Sequence, residues 1–213
     1  MQTPLSCSPS LLEQMADALA ITGYTWQDDW LPVAEALTIR QQLLASYQAD
    51  AFKRAGIGQH QDRQIDRNVR GDHICWIDEA TTIPEVRAFF SRMQQLSQYL
   101  NRTCYLGLKD LEAHFTVYPP GTYYERHLDQ FRADDHRKLT FIYYLNLDWQ
   151  ESDGGHLMIH CPEGGSERFT PLLNRLVVFR SELLEHEVLP TQRERCSLTG
   201  WLLDQRMDLG FLG

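Results

Sequence analysis

Leu111-Glu112-Ala113-His114-Phe115-Thr116-Val117-Tyr118-Pro119-Pro120-Gly121-Thr122-Tyr123-Tyr124-Glu125-Arg126-His127-Leu128-Asp129 decides the fold of this chain. Residues Leu111 to Tyr118 repeat with a period of two, the period with which strand side chains change faces. Pro119-Pro120-Gly121 breaks that run, and an aromatic run from Tyr123 to Asp129 follows it. Strand, turn and strand is the reading.

The same period continues toward the C-terminus. It predicts strands at Leu111–Tyr118, Tyr123–Asp129, Leu139–Leu147, His156–His160, Arg168–Thr170, Arg175–Arg180, Leu184–Leu189 and Arg195–Leu203. Turn signals separate them, among them Asp153-Gly154-Gly155 and Pro162-Glu163-Gly164-Gly165. Short strands punctuated in this way predict a double-stranded β-helix, or jelly roll. Upstream the period is helical. Ser10–Ala20 carries Leu11, Leu12, Met15 and Leu19, with Ser8 or Ser10 as N-cap. Pro32–Lys53 carries Ala36, Ile39, Leu43, Leu44 and Tyr47, and Pro84–Tyr99 carries Val86, Phe89, Phe90, Met93 and Leu96. The fold class is α+β, a jelly-roll core with N-terminal and central helices packed on one sheet. Residues 1–213 read as a single domain, 1–105 forming helical support and 106–206 the core.

Composition narrows the function. The chain has 213 residues, 43% of them apolar, and a net charge of −9. That acidity argues against a general binder of nucleic acid or anionic membrane. No apolar run is long enough to span a bilayer, and Met1-Gln2-Thr3-Pro4-Leu5-Ser6 lacks the basic start and apolar block of a signal peptide. The five cysteines are scattered without a Cys-x-x-Cys pair. They read as reduced thiols of a cytoplasmic protein.

Chemistry enters with His127 and Asp129. On one strand, residues two apart point the same way. His186, on a later strand, can close a triangle with them. Two imidazoles and a carboxylate on one face of a metal leave the opposite positions open, which is the ligand set of non-haem Fe(II) oxygenases. The His-x-Asp pattern alone is weak, since a second copy, His60-Gln61-Asp62, occurs in a polar stretch read as a solvated loop. After His186 come a short strand, a polar turn with Pro190, and Arg195-Cys196-Ser197-Leu198-Thr199-Gly200-Trp201. With period two, Arg195, Ser197, Thr199 and Trp201 share a face. An inward Arg195, on a strand paired with that of His186, would need an anion such as a carboxylate. An outward Arg195 would sit exposed beside Arg193. His156 and His160 share a strand face and could take a metal incidentally; they and the other histidines otherwise read as structural.

The ordered motifs resemble the 2-oxoglutarate-dependent Fe(II) dioxygenases, most closely the prolyl hydroxylases of the animal oxygen-sensing type and their bacterial relatives. The resemblance is carried by Arg70-Gly71-Asp72-His73-Ile74-Cys75-Trp76-Ile77, by Tyr118-Pro119 with Gly121 before His127-Leu128-Asp129, and by Ile142-Tyr143-Tyr144-Leu145-Asn146-x-x-Trp149. His186-Glu187-Val188, Arg195, Thr199 and Trp201 complete it. It covers roughly Asp66 to Asp204, with the Tyr118-to-His127 spacing one residue shorter than in the animal enzymes.

The resemblance implies Fe(II) on His127, Asp129 and His186, with 2-oxoglutarate and O2 as cosubstrates and ascorbate as accessory reductant. It implies that Arg195 takes the far carboxylate of 2-oxoglutarate, helped by Tyr144 and Thr199; an aromatic core role competes for Tyr144. Tyr118 would hydrogen-bond near the metal, and Trp201 and Leu157 would form an apolar wall. Loop 56–77 would be a finger folding over a protein substrate, with Arg70, Asp72, Trp76 and Arg137 around its base and an Asp72–Arg137 ion pair docking it. A plain solvated loop is the alternative for the polar stretch from Gly56 to Val69. The implied reaction is 4-hydroxylation of a prolyl residue, with elongation factor Tu as the first candidate partner and a monomeric enzyme. Two other classes stay open: a 2-oxoglutarate oxygenase of a free amino acid or small metabolite, and a non-catalytic jelly-roll sensor that keeps a metal.

Overall fold

A computed structural model describes residues 7–55, 69–77, 81, 83–130 and 136–205. Among the described residues, three α-helices and eleven strands follow one another. Helix α1, Pro9–Ile21, begins where Ser8 accepts a hydrogen bond from the Leu11 N–H and Pro9 supplies a preset φ. Strand β1, Tyr24–Gln27, and helix α2, Val33–Gln48, come next. After β2, Lys53–Arg54, and β3, His73–Ile77, runs the longest helix, α3, Pro84–Thr103. Its Val86, Phe89, Phe90, Met93, Leu96 and Leu100 form one buried stripe, the spacing that puts residues on a single helical face.

The eight strands expected from the period of two all form. They are β4, Asp110–Tyr118; β5, Tyr124–His127; β6, Arg137–Tyr144; β7, Leu157–His160; β8, Ser166–Phe169; β9, Leu176–Arg180; β10, Glu185–Val188; and β11, Arg195–Leu203. They divide into two antiparallel sheets. The larger has the order β1-β9-β6-β11-β4-β3-β2 and the smaller β5-β10-β7-β8.

Alternation along the larger sheet sorts its side chains between two interiors. Ala113, Phe115 and Val117 of β4, Leu139, Phe141 and Tyr143 of β6, and Leu198 and Leu202 of β11 pack with the helices. Ile142, Tyr144, Val177 and Phe179 face the other way and pack on Leu157, Ile159, Phe169 and Leu184 of the smaller sheet's side. The helices therefore cover one face of the larger sheet, and the opposite face meets the smaller sheet through this apolar cluster together with buried polar side chains such as Thr140, Arg195 and Ser197.

Three expectations need correction. Helix α2 stops at Gln48 and not at Lys53: Asp50 takes a φ of 56°, and the chain turns into edge strand β2. Strands β1, β2 and β3 extend the larger sheet without having been marked. Finally, the strands of His186 and Arg195 are not paired. Strand β10 pairs with β5 and β7, whereas β11 pairs with β4 and β6 in the other sheet, so the polar turn crosses between sheets. The second His-x-Asp copy, at His60, and the 56–68 part of the expected finger lie outside the described residues.

Candidate active site

His127 and His186 face each other directly across the β5–β10 ladder, with ring centroids 4.2 Å apart. Asp129 lies two residues past His127, just beyond the end of β5. Its two carboxylate oxygens sit 3.5 Å from Nε2 of His127 and 3.5 Å from Nε2 of His186. One ligand atom from each residue falls within 4.8 Å of the others.

The surroundings fix these orientations. Nδ1 of His127 is 2.7 Å from the Glu125 carbonyl and Nδ1 of His186 is 3.3 Å from the Leu184 carbonyl. Each bond turns Nε2 toward Asp129, the usual way a ligand's other nitrogen is held. Thr140 donates to Asp129 at 2.7 Å, and its hydroxyl also meets Ser181 at 2.9 Å. Burial, with His127 alongside, pulls the His186 imidazole down to about 4; at neutral pH it is uncharged, as a metal ligand must be. Burial alone would push the Asp129 carboxyl up, but His186, His127 and Thr140 outweigh it and hold the group well below the usual carboxylate range. Two imidazoles and an ionised carboxylate fit a divalent first-row metal.

Across the space between the sheets lies Arg195. It is 1% exposed, which excludes the outward reading. Its Nε donates to the Gly155 carbonyl at 2.8 Å. The guanidinium carbon lies 5.1 Å from the Tyr118 ring centre and 5.0 Å from that of Tyr144. Nη2 of Arg195 and the Tyr144 hydroxyl are both buried and find no partner among the described residues. A buried charge left in that state is costly, and a carboxylate would satisfy both donors at once. The residues therefore fit a dicarboxylate as well as a metal. Gly155, with a φ of 64°, makes the approach feasible, since a Cβ there would meet Arg195 Cδ at 3.1 Å.

The register links the two ends. Tyr118 pairs with Arg195, Tyr144 with Ser197, and Thr140 with Trp201. Arg195, Ser197, Thr199 and Trp201 thus form one row leading from the guanidinium toward the Asp129 side, with Thr199 and Ser197 hydroxyls 3.1 Å apart. Trp201 is buried, and its indole N–H has no partner among the described residues. Leu157 is buried in the same interior.

Trp76, with its ring centre 6.4 Å from that of Trp201, is 43% exposed and packs edge-on against His114. The Asp72–Arg137 pair expected from the sequence is absent. Arg70 takes Asp72 with two hydrogen bonds, 2.8 and 2.6 Å, being only two residues away. Arg137 bonds to Glu112 at 2.8 Å and lies over the Trp201 ring at 3.6 Å. His156 and His160 each have their own carboxylate, Glu151 at 3.2 Å and Glu187 at 2.9 Å; neither joins a further metal-ligand group among the described residues. The sequence reading passed over Thr140, Ser181, Gly155 and Tyr124. Thr140 was legible in principle, for it shares the face of Tyr144 on β6.

Residues 113–203 match the sequence pattern of the 2OG-Fe(II) oxygenase superfamily. A solved structure of a Pseudomonas putida prolyl-4-hydroxylase is 36% identical, covering 92% of this chain and 100% of that one with a TM-score of 0.84. A Trichoplax adhaerens prolyl hydroxylase, solved with a hypoxia inducible factor oxygen degradation domain peptide fragment, is 28% identical, covering 92% and 90% of the two chains with a TM-score of 0.83. Human Egl nine homolog 1 is 29% identical over 94% of this chain, which spans 48% of that protein's length. With its His-Asp-His triangle and the buried Arg195 in the places described, the chain belongs to the 2OG-Fe(II) oxygenase superfamily.

Proposed function

We propose that the protein hydroxylates a prolyl residue, at C4, in a protein substrate, using Fe(II) and 2-oxoglutarate. The observation that carries this reading is the pair of unpartnered buried donors, Arg195 Nη2 and the Tyr144 hydroxyl, in the same inter-sheet space as His127, Asp129 and His186. The likeness to the Pseudomonas putida prolyl-4-hydroxylase, complete over that chain, supports the prolyl target. A Caenorhabditis elegans relative named hypoxia-inducible factor prolyl hydroxylase is 32% identical over 68% of this chain, which supports a protein substrate. Elongation factor Tu is the first candidate, by the resemblance to bacterial relatives. All five cysteines are free, which suits a reducing cytoplasm; the reading also carries a monomer, with ascorbate as accessory reductant.

The residues divide the work. His127, Asp129 and His186 would hold iron. Arg195 and Tyr144 would grip the far carboxylate of 2-oxoglutarate, with Thr199 and Tyr118 beside them. Thr140 donates to Asp129 and helps to hold its carboxylate toward the imidazoles. The buried interior of Ile142, Leu157, Val177 and Phe179 would exclude water on one side, and Trp201 and Trp76 would form an apolar wall on another. When bound, iron with 2-oxoglutarate and O2 supplies the oxidant for an unactivated C–H and releases succinate and CO2.

Mass spectrometry of candidate proteins, with iron and 2-oxoglutarate supplied or withheld, tests this. The expected result is a gain of one oxygen, about 16 Da, on a proline only when both are present. Succinate formation without a modified prolyl residue in any protein tested would overturn the substrate assignment.

A further inference from the structure

Behind His127 stands a column of side chains that the reaction itself does not use. The Tyr124 ring stacks on the His127 imidazole, with centroids 3.6 Å apart and planes 19° from parallel. The Arg70 guanidinium carbon lies 4.3 Å from the centre of the Tyr124 ring. An imidazole at that spacing fills one face of the phenol, so the guanidinium occupies the other. Arg70 is in turn fixed by two hydrogen bonds to Asp72, which is 2% exposed.

On a regular strand Tyr124 and His127, three residues apart, would point to opposite faces. They share a face because the β5–β10 register slips: His186 pairs with His127, but Val188 pairs with Tyr124. The extra residue re-aims the side chain, a common use of a bulge beside a site. The backbone on the far side is tied down as well. The Glu125 N–H bonds to the Val69 carbonyl at 2.8 Å and the Gly71 N–H to the Tyr123 carbonyl at 3.0 Å. Gly71 allows this closeness, since a Cβ there would come within 2.6 Å of Thr122.

His127 needs such support. Among the described residues its Nδ1 hydrogen bond is to the Glu125 carbonyl, and its side chain is 17% exposed against 5% for His186. We infer that Tyr124, clamped by Arg70 and Asp72, is a positioning residue that holds the His127 imidazole in the orientation a metal requires. The inference rests on the metal-site reading above.

Co(II) titration of the metal-free full chain, followed by d–d absorption and without any cosubstrate, separates the two. Tyr124→Leu is expected to bind Co(II) about tenfold or more weakly, the cost typical of losing support behind a ligand, with a changed d–d spectrum. Arg70→Ala should weaken binding in the same direction, and Tyr124→Phe, which keeps the stacked ring, should restore wild-type affinity and spectrum. Circular dichroism and thermal melting identify any variant that fails to fold; for such a variant the comparison of Tyr124→Phe with Arg70→Ala decides. Wild-type Co(II) affinity and spectrum in folded Tyr124→Leu or Arg70→Ala would overturn the inference. If the wild type takes up no Co(II), or His127→Ala binds as well as the wild type, the metal-site reading fails instead.

Discussion

A guanidinium 1% exposed, bonded through Nε to a backbone carbonyl and with Nη2 buried without a partner among the described residues, makes a direct prediction. Charge-assisted hydrogen bonds contribute about 1.5–3 kcal/mol each. Arg195→Ala should therefore raise the KM for 2-oxoglutarate about 10- to 100-fold; an unchanged dependence would remove Arg195 from the clamp. His114 gives a second residue-scale prediction, on stability. Burial pulls its imidazole down from 6.5 to about 4, among Arg70, Asp72 and Arg137. The unfolded chain then takes up a proton that the folded chain refuses, so stability falls as pH drops below the unfolded value and levels off below the folded one. Between about pH 7 and about pH 5 this costs the metal-free protein about 2 kcal/mol. Urea unfolding of wild type and His114→Gln at both pH values should show the variant losing less by that amount; parallel losses would contradict it. The ligand residues were legible because the chemistry demands particular types. Their supports were not: Thr140 is one threonine among many until β6 and the residue after β5 meet, and the local Arg70–Asp72 pair competes with any longer-range partner for Asp72.

At the scale of elements, the strands from β4 to β11 were readable because each buries one face and exposes the next residue to a different surrounding, which writes a period of two into the sequence. Strand β2 spans two residues, too short to carry a period, and in β1 only the polar Thr25 is buried, so its burial leaves no apolar alternation. β3 is five residues, with only Ile74 fully buried, and so carries little contrast. Sheet membership was harder still. Turn residues between His186 and Arg195 suit a hairpin equally well, and only the packing of both sheets shows that the chain crosses between them. That crossing brings Gly155 under Arg195. Gly155→Ala puts a side chain at a φ of 64° and against Arg195 Cδ, so it should raise the 2-oxoglutarate KM severalfold while leaving Co(II) affinity near wild type. Steady-state kinetics with and without that change read the difference, and an unaltered KM would show that the Gly155 turn does not set the position of the clamp.

Across the whole molecule, the larger sheet separates support from chemistry. Helices α1, α2 and α3 cover one face, while the metal triangle and Arg195 lie on the other. Phe89 is fully buried on the helical side, 5.7 Å from the Phe141 ring and 4.9 Å from that of Tyr143. Phe89→Ala should cost about 3–5 kcal/mol of stability, seen as a lower melting temperature. The folded fraction should keep its 2-oxoglutarate KM; a large change there would mean that the sheet transmits helix packing to the site. The central proposal is that three side chains and one buried arginine serve a single metal–cosubstrate complex. Anaerobic titration of Fe(II)-loaded protein with 2-oxoglutarate, read by the visible charge-transfer absorption of the chelate, tests this most directly. The expected result is saturation at one equivalent, abolished in Asp129→Ala and shifted to much higher concentration in Arg195→Ala, whereas no absorption in the wild type, or the same curve in all three proteins, would contradict it.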